Sequence, residues 1–170
     1  MRGSVEQFLE QVARRGSWVG GGSVAALSVA LAAALLEKLM ADRRGARRIR
    51  RARHSCVRLI ERDAAMFARV IEATRTGGAG RFQRALQAAT EVPCRVFEHA
   101  QAIQAACRRA QRAVKPRFQS DLRCAMALAL AGAESARTLI LTNLAWLNSG
   151  AYSKRIRTRL RAAARRHADR

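Results

Sequence analysis

Apolar residues recur along this chain at helical spacing almost from end to end, and the places where the period is lost are as informative as those where it is kept. Over 4–15, Val5, Phe8, Leu9 and Val12 share one face, with Ser4 placed as an N-cap and Gly16 as the stop. Over 23–41 the period vanishes because almost every residue is apolar: Leu27 to Leu36 carries no charge and is mostly alanine, leucine and valine. Such a helix needs cover on nearly every side. A third helix, about 46–74, sets Ile49, Cys56 and Val70 seven apart or a multiple of it, with Ala52, Leu59, Met66 and Ala73 in the companion row. Asp63 fills the vacant place in the first row. A carboxylate on a buried stripe is costly unless it is paired, so Asp63 is either tied to an arginine, with Arg62 and Arg69 near, or held there for chemistry.

After the TGGAG loop at 76–80, a helical run over 81–114 carries Phe82, Leu86, Ala89, Val96, Ala100, Ile103, Cys107 and Ala110 on one face. Pro93 removes a backbone donor and should kink or split this run near Val92. Lys115-Pro116 breaks the chain, and Ser120-Asp121 opens a last long helix over 121–148, apolar nearly all round from Cys124 to Ala133 and again from Leu139 to Leu147. Asn143 sits within that second stretch, where a buried amide needs partners. Beyond Tyr152 the sequence is dominated by basic residues, with Ile156, Leu160 and Ala163 at helical spacing. The pattern predicts a surface helix that forms only against something else, so the chain divides into a helical domain over 1–152 and a basic tail over 153–170.

Composition narrows the class. With 170 residues, 49% apolar and only 5% aromatic, the chain suits an all-α, multihelical single domain that dimerises through its long apolar helices. Its net charge of +21 and sequence pI near 11.8 come almost wholly from arginine. That field attracts polyanions without specifying one. No zinc-finger or RNA-recognition signature is present and aromatics for base stacking are few, which leaves nucleic acid a partner only through the basic tail. Cys56, Cys94, Cys107 and Cys124 form no C-x-x-C pair and, apart from the weak His54/Cys56 pair, no metal-ligand spacing with a histidine, and read as small buried thiols of a reducing, cytoplasmic compartment. His99, without an acidic or cysteine partner at helical spacing, reads as a packed or surface histidine, and no metal site is expected. Val19 to Leu36 is uncharged but rich in Gly, Ser and Ala, and Glu6 and Glu10 precede it, so neither a membrane span nor a signal peptide is expected.

Gly20-Gly21-Gly22-Ser23 runs straight into the second helix. Read from spacing alone, it either ends a loop, with Ser23 as cap, or presents free N–H groups and the positive end of the helix dipole to an anion. Ser120-Asp121 is likewise what any helix start prefers.

Taken in order, GGGSVAAL at 20–27, LIERDAAMF at 59–67, VP at 92–93, SDL at 120–122, the Gly-Ala pair at 132–133 and NL at 143–144 resemble the cyclodeaminase/cyclohydrolase family, over nearly the whole chain up to about Tyr152. Its members include formiminotetrahydrofolate cyclodeaminases and methenyltetrahydrofolate cyclohydrolases. The resemblance implies a dimeric all-helical fold acting on a one-carbon unit carried by tetrahydrofolate, with no cofactor beyond that substrate. It also implies a polar pocket in which Asp121 is the general acid/base, Asp63 supports it electrostatically, and Gly20, Gly21, Gly22, Ser23, Ser120 and Asn143 hold the substrate, the glycine turn taking the folate glutamate or the pterin edge. The sequence departs from the family pattern at Val19, where a proline is usual, and at Lys115 and Leu139, where asparagines are usual. A folate enzyme is therefore the first reading. A degenerate helical dimer without turnover, or a basic nucleic-acid-binding protein, is the alternative.

Overall fold

The apolar helix expected in the middle of the structure is there, and the others are arranged by what it needs covered. The computed structural model of the chain describes residues 4–168, so the outermost ends of the two expected segments, 1–3 and 169–170, lie outside the described residues. These form α1 (Val5–Ala13), α2 (Gly21–Leu39), α3 (Arg43–Arg75), α4 (Ala79–Ala110), α5 (Gln119–Ala145) and α6 (Gly150–Ala168), with one 3-10 turn at Pro116–Phe118 and no strand among them. Ala25, Ala26, Val29, Ala32, Ala33 and Leu36 of α2 are buried between α3 and α5, and α4 closes the core from the far side. Helices α2 and α5 run antiparallel: Gly21 lies beside Leu139 at one end, and Lys38 meets Asp121 at the other. Midway, a β-carbon on Gly132 would come 3.2 Å from the Ala25 carbonyl oxygen, so the small residue is what lets the two backbones approach.

Helix ends follow local chemistry where a side chain is within reach. Ser4 and Gln7 form a capping box on α1, and Asp42 caps α3 by accepting from the N–H groups of Arg44 and Gly45 at 3.0 and 2.7 Å. Those two backbone bonds hold the Asp42 carboxyl below the usual aspartate range. Three expected starts are corrected. Helix α2 begins at Gly21 with Gly20 as N-cap, so Ser23 lies inside the first turn, buried. Helix α3 begins at Arg43, three residues before the expected start, because Asp42 caps it there. Helix α5 begins at Gln119, so Ser120 and Asp121 belong to its first turn and no side chain caps it.

Pro93 does not split α4: the helix is continuous from Ala79 to Ala110. One missing N–H is outweighed by the packing of Val92, Cys94, Val96 and Phe97 around it, all buried. The tail is corrected more thoroughly. Residues 150–168 form α6, which lies along α4 with Tyr152, Ile156 and Ala163 buried, so a boundary at 152/153 cuts through a packed helix. Arg159 clamps it, donating from Nε and Nη2 to Glu98 at 2.6 and 3.0 Å and from Nη1 to Glu91 at 2.5 Å. Tyr152 adds a bond from Oη to the Gln87 carbonyl at 2.9 Å. Sequence periodicity offered only three apolar positions there; the carboxylates waiting on α4 make the helix stay.

Some expected faces remain open. Val5 and Leu9 of α1 are exposed, and only Phe8 of that stripe is buried. Three cysteines are buried, with the Cys56 and Cys94 thiols pushed up to about 12 and Cys107 to about 11 chiefly by that burial, whereas Cys124 is exposed on α5, against expectation. By length and composition α2 and α5 could each cross a membrane, yet half of the apolar window of α2 and a third of that of α5 is buried against other helices of the chain. What is left uncovered on them is largely uncharged, including Val24 and Leu31 on α2 and Leu130 on α5. The positive charge is elsewhere, above all on α3 and α6.

Candidate active site

Where the start of α2, the second half of α3, the first half of α4 and the end of α5 meet, they enclose a pocket of about 630 Å3. Its walls are mainly apolar and aromatic, with Trp18, Phe67, Phe82, Leu139 and Trp146 among the lining residues. Trp18 and Phe67 meet edge to face, ring centres 6.2 Å apart, and Trp146 stands exposed at the rim. Pro93 and Ala89 are on the same wall, so the carbonyl that lost its helical partner to the proline belongs to a residue bordering the pocket.

Asp63 is the carboxylate in this lining. It points from α3 at the first turn of α2, so closely that a β-carbon on Gly22 would fall inside the carboxyl group. Burial pushes the carboxyl above the usual aspartate range, against the opposing pull of the Ser23 hydroxyl and backbone N–H. Ser23 Oγ lies 3.1 Å from Asp63 Oδ2 and 3.0 Å from the Ile60 carbonyl oxygen. A hydroxyl has one proton for these two acceptors. When it goes to Ile60, Ser23 Oγ is free to accept from a protonated Asp63, so the same pair of residues accommodates both states of the acid. Neither Arg62 nor Arg69 makes an ion pair with Asp63 among the described residues, which removes the ion-pair account of this carboxylate.

The glycine turn therefore plays a different part from the one expected. The Ser23 N–H at the start of α2 meets the protein's own Asp63, and whenever that carboxyl is ionised it would repel a second negative group brought there. Gly20, Gly21 and Gly22 do line the pocket, whereas Ser23 is buried behind it and acts on Asp63. Asn143 lines the pocket half-buried, and its side-chain amide has no hydrogen bond within the described residues, which leaves it available to a ligand. Thr74 and Thr142, also in the lining, spend their hydroxyl protons on Val70 and Thr138 of their own helices. Leu139, four residues before Asn143, rests against Gly21 and makes apolar a stretch of wall where the family pattern has an amide.

Ser120 and Asp121 are not brought to this pocket within the chain. Asp121 lies at the opposite end of the α2/α5 pair, half-exposed, accepting from Lys38 Nζ at 2.6 Å. Lys38 and Gly22 are sixteen residues apart on α2, which at 1.5 Å per residue is about 24 Å. One chain thus cannot place Asp121 and Asp63 on the same substrate, and Asp121 is not the buried carboxylate. Sequence reasoning also missed the aromatic walls. The signal was present in Phe67, one helical turn after Asp63 on the same face, and in Trp18, just before the glycines. Among the described residues no three His, Cys, Asp or Glu side chains gather to hold a metal ion.

Comparison with curated proteins gives no match. Among solved structures, the fold is similar to that of a formiminotetrahydrofolate cyclodeaminase from Thermotoga maritima, with a TM-score of 0.82 and 22% identity over 99% of this chain and 95% of that one. At that identity the likeness shows the fold. A family model described as Formiminotransferase-cyclodeaminase matches residues 4–162, taking in the pocket, Asp63, the glycine turn and the first two-thirds of α6. The all-helical fold, the motif order and that match over nearly the whole chain agree: this protein belongs to the formiminotransferase-cyclodeaminase family.

Proposed function

We propose that the chain is a folate one-carbon enzyme of the cyclodeaminase type, working in the cytoplasm as a homodimer on a tetrahydrofolate derivative held in the aromatic pocket. The observation that carries this is Asp63, a carboxyl whose pKa is raised by burial, in a mainly apolar and aromatic pocket that suits a flat heteroaromatic ring. In cyclodeamination the folate N10 attacks the formimino carbon, a C–N bond forms, and the bond to the departing nitrogen breaks with release of ammonia. That nitrogen needs a proton as it leaves and N10 must give one up. Asp63, held between its two protonation states by Ser23, is suited to move both, and its anionic form offsets the charge of the methenyl product. Water addition to the methenyl cation, the cyclohydrolase reaction, asks the same of the acid in the other direction. Asn143 and the aromatic walls would orient the ring system.

The proton-transfer role thus falls to Asp63 in place of Asp121. A part for Asp121 and Ser120 requires a second chain. Val24, Leu27, Leu31 and Leu35 repeat along α2 at the three- and four-residue spacing of a helix-pairing seam, exposed or half-buried. Two copies of α2 crossing antiparallel near Leu31 about a two-fold axis would set the Lys38/Asp121 end of one chain against the Gly21 end of the other. Following methenyltetrahydrofolate by absorbance beside an assay of ammonia release from the formimino compound decides between the two reactions. Saturable folate binding without either product would identify a fold that has lost turnover, for which the substitution of an amide by Leu139 beside Gly21 is the motive.

A further inference from the structure

On the face of α3 turned away from the pocket, a second cleft of about 440 Å3 lies between α3 and α4, lined by Ser55, Arg58, Glu61, Arg62 and Arg95 among others. Positions 55, 58 and 62 stand on one face of α3 at spacings of three and four, and Arg95 comes to them from α4. Elsewhere in this chain arginines beside carboxylates are engaged: Arg50 and Arg53 hold Glu37, and Arg159 holds Glu91 and Glu98. Arg58, Arg62 and Arg95 make no ion pair or hydrogen bond among the described residues, while Glu61, the carboxylate in the lining, is itself engaged.

What distinguishes the cleft from a generally basic surface is its floor. Ser55 is buried there, its Oγ 2.9 Å from His99 Nε2. His99 is pushed below the ordinary histidine range by burial first and by Arg95 next, with Arg58 adding to it and Glu98 opposing. The ring is therefore neutral near pH 7, and in the tautomer with its proton on Nε2 it donates to Ser55 Oγ, which leaves the hydroxyl proton for an anion in the cleft. Three guanidinium groups from two helices and one hydroxyl can thus surround a small oxyanion, and the planar forks of arginine suit phosphate oxygens in pairs.

We propose that the α3–α4 cleft is a phosphate site, separate from the aromatic pocket, which takes a phosphoryl dianion either free or as a monoester. The assignment does not depend on the folate reading. The probe is inorganic phosphate, titrated at constant ionic strength while the His99 ring is followed by NMR. A bound dianion offsets Arg95 and Arg58, so the His99 pKa should rise by about 0.5 or more. Arg58→Gln combined with Arg95→Gln should weaken phosphate binding at least about tenfold, whereas a charge-matched pair on α6, Arg157→Gln with Arg161→Gln, should change it less than about twofold. Circular dichroism confirms that each variant folds. Glycerol 3-phosphate competing at the site identifies an esterified ligand, and its exclusion while inorganic phosphate binds identifies the free ion. Equal losses in the two variant pairs, or a His99 ring unmoved at saturating phosphate, would overturn the proposal in favour of a diffuse field from the +21 charge.

Discussion

The carboxyl of Asp63 stands in the space that a β-carbon on Gly22 would occupy, on the first turn of α2. The absence of a side chain at Gly22 lets the acid sit against the first turn of α2, where the Ser23 hydroxyl and N–H reach it. An alanine in a helix is ordinarily better than glycine by about 1 kcal/mol. Here the added carbon must displace the carboxyl, so Gly22→Ala should leave helix content unchanged by circular dichroism and lower turnover roughly 10²-fold or more. A Gly22→Ala protein with parental turnover would show that Asp63 need not stay where it is.

Asp63→Asn removes the exchangeable proton and keeps an acceptor for Ser23, so turnover should fall by roughly 10²- to 10⁴-fold. Stability should move the other way. The folded pKa of Asp63 lies above its unfolded value, near 3.9 for an ordinary aspartate, so the folded chain binds this proton more tightly than the unfolded one. The stabilising contribution is full below that value and is lost as pH rises through the folded pKa. Denaturation midpoints measured from pH 4 to pH 8 should therefore show Asp63→Asn gaining on the parent as pH increases. A constant difference across that range would mean that the acid is not raised.

Asp121→Asn tests the second chain. The Lys38 pair is half-exposed, so its loss should cost no more than about 1 kcal/mol. If the partner's carboxylate completes the site, turnover should drop while the dimer persists, and mixing Asp63→Asn with Asp121→Asn chains should restore activity in the mixed dimers, each of which regains one intact site. Asp121→Asn with full turnover would confine the chemistry to one chain.

Removing residues 153–170 takes away Ile156 and Ala163 from a buried interface and leaves Glu91 and Glu98 without Arg159, whose hydrogen bonds hold the Glu98 carboxyl below the usual glutamate range. The truncated chain should unfold at markedly lower denaturant, and Ile156→Ala alone should cost about 2–4 kcal/mol. Chemical denaturation of both measures this. Truncation without loss of stability would show α6 to be dispensable to the core.

Helix type and order were determined by the sequence itself, because period and composition are local properties: the charge-free run in α2 needed cover whatever its neighbours, and the stripe from Ile49 to Val70 could face only inward. The same stripe exposed Asp63 as an anomaly, and motif order identified the family. Tertiary structure decided what each anomaly is for. Ser23 carries the marks of a cap, yet it is buried behind the pocket because Gly20 takes the cap position and a carboxyl forty residues later in sequence comes to meet it. Asp121 carries the same marks as a site residue, yet antiparallel packing of α2 and α5 sends it to the far end of the pair. The α6 segment reads as a loose basic tail because the glutamates that fasten it lie on α4, more than sixty residues earlier. In each case the deciding partner is distant along the chain. A helical pattern specifies which face of a residue's own helix it occupies, and only the docking of helices specifies what that face meets.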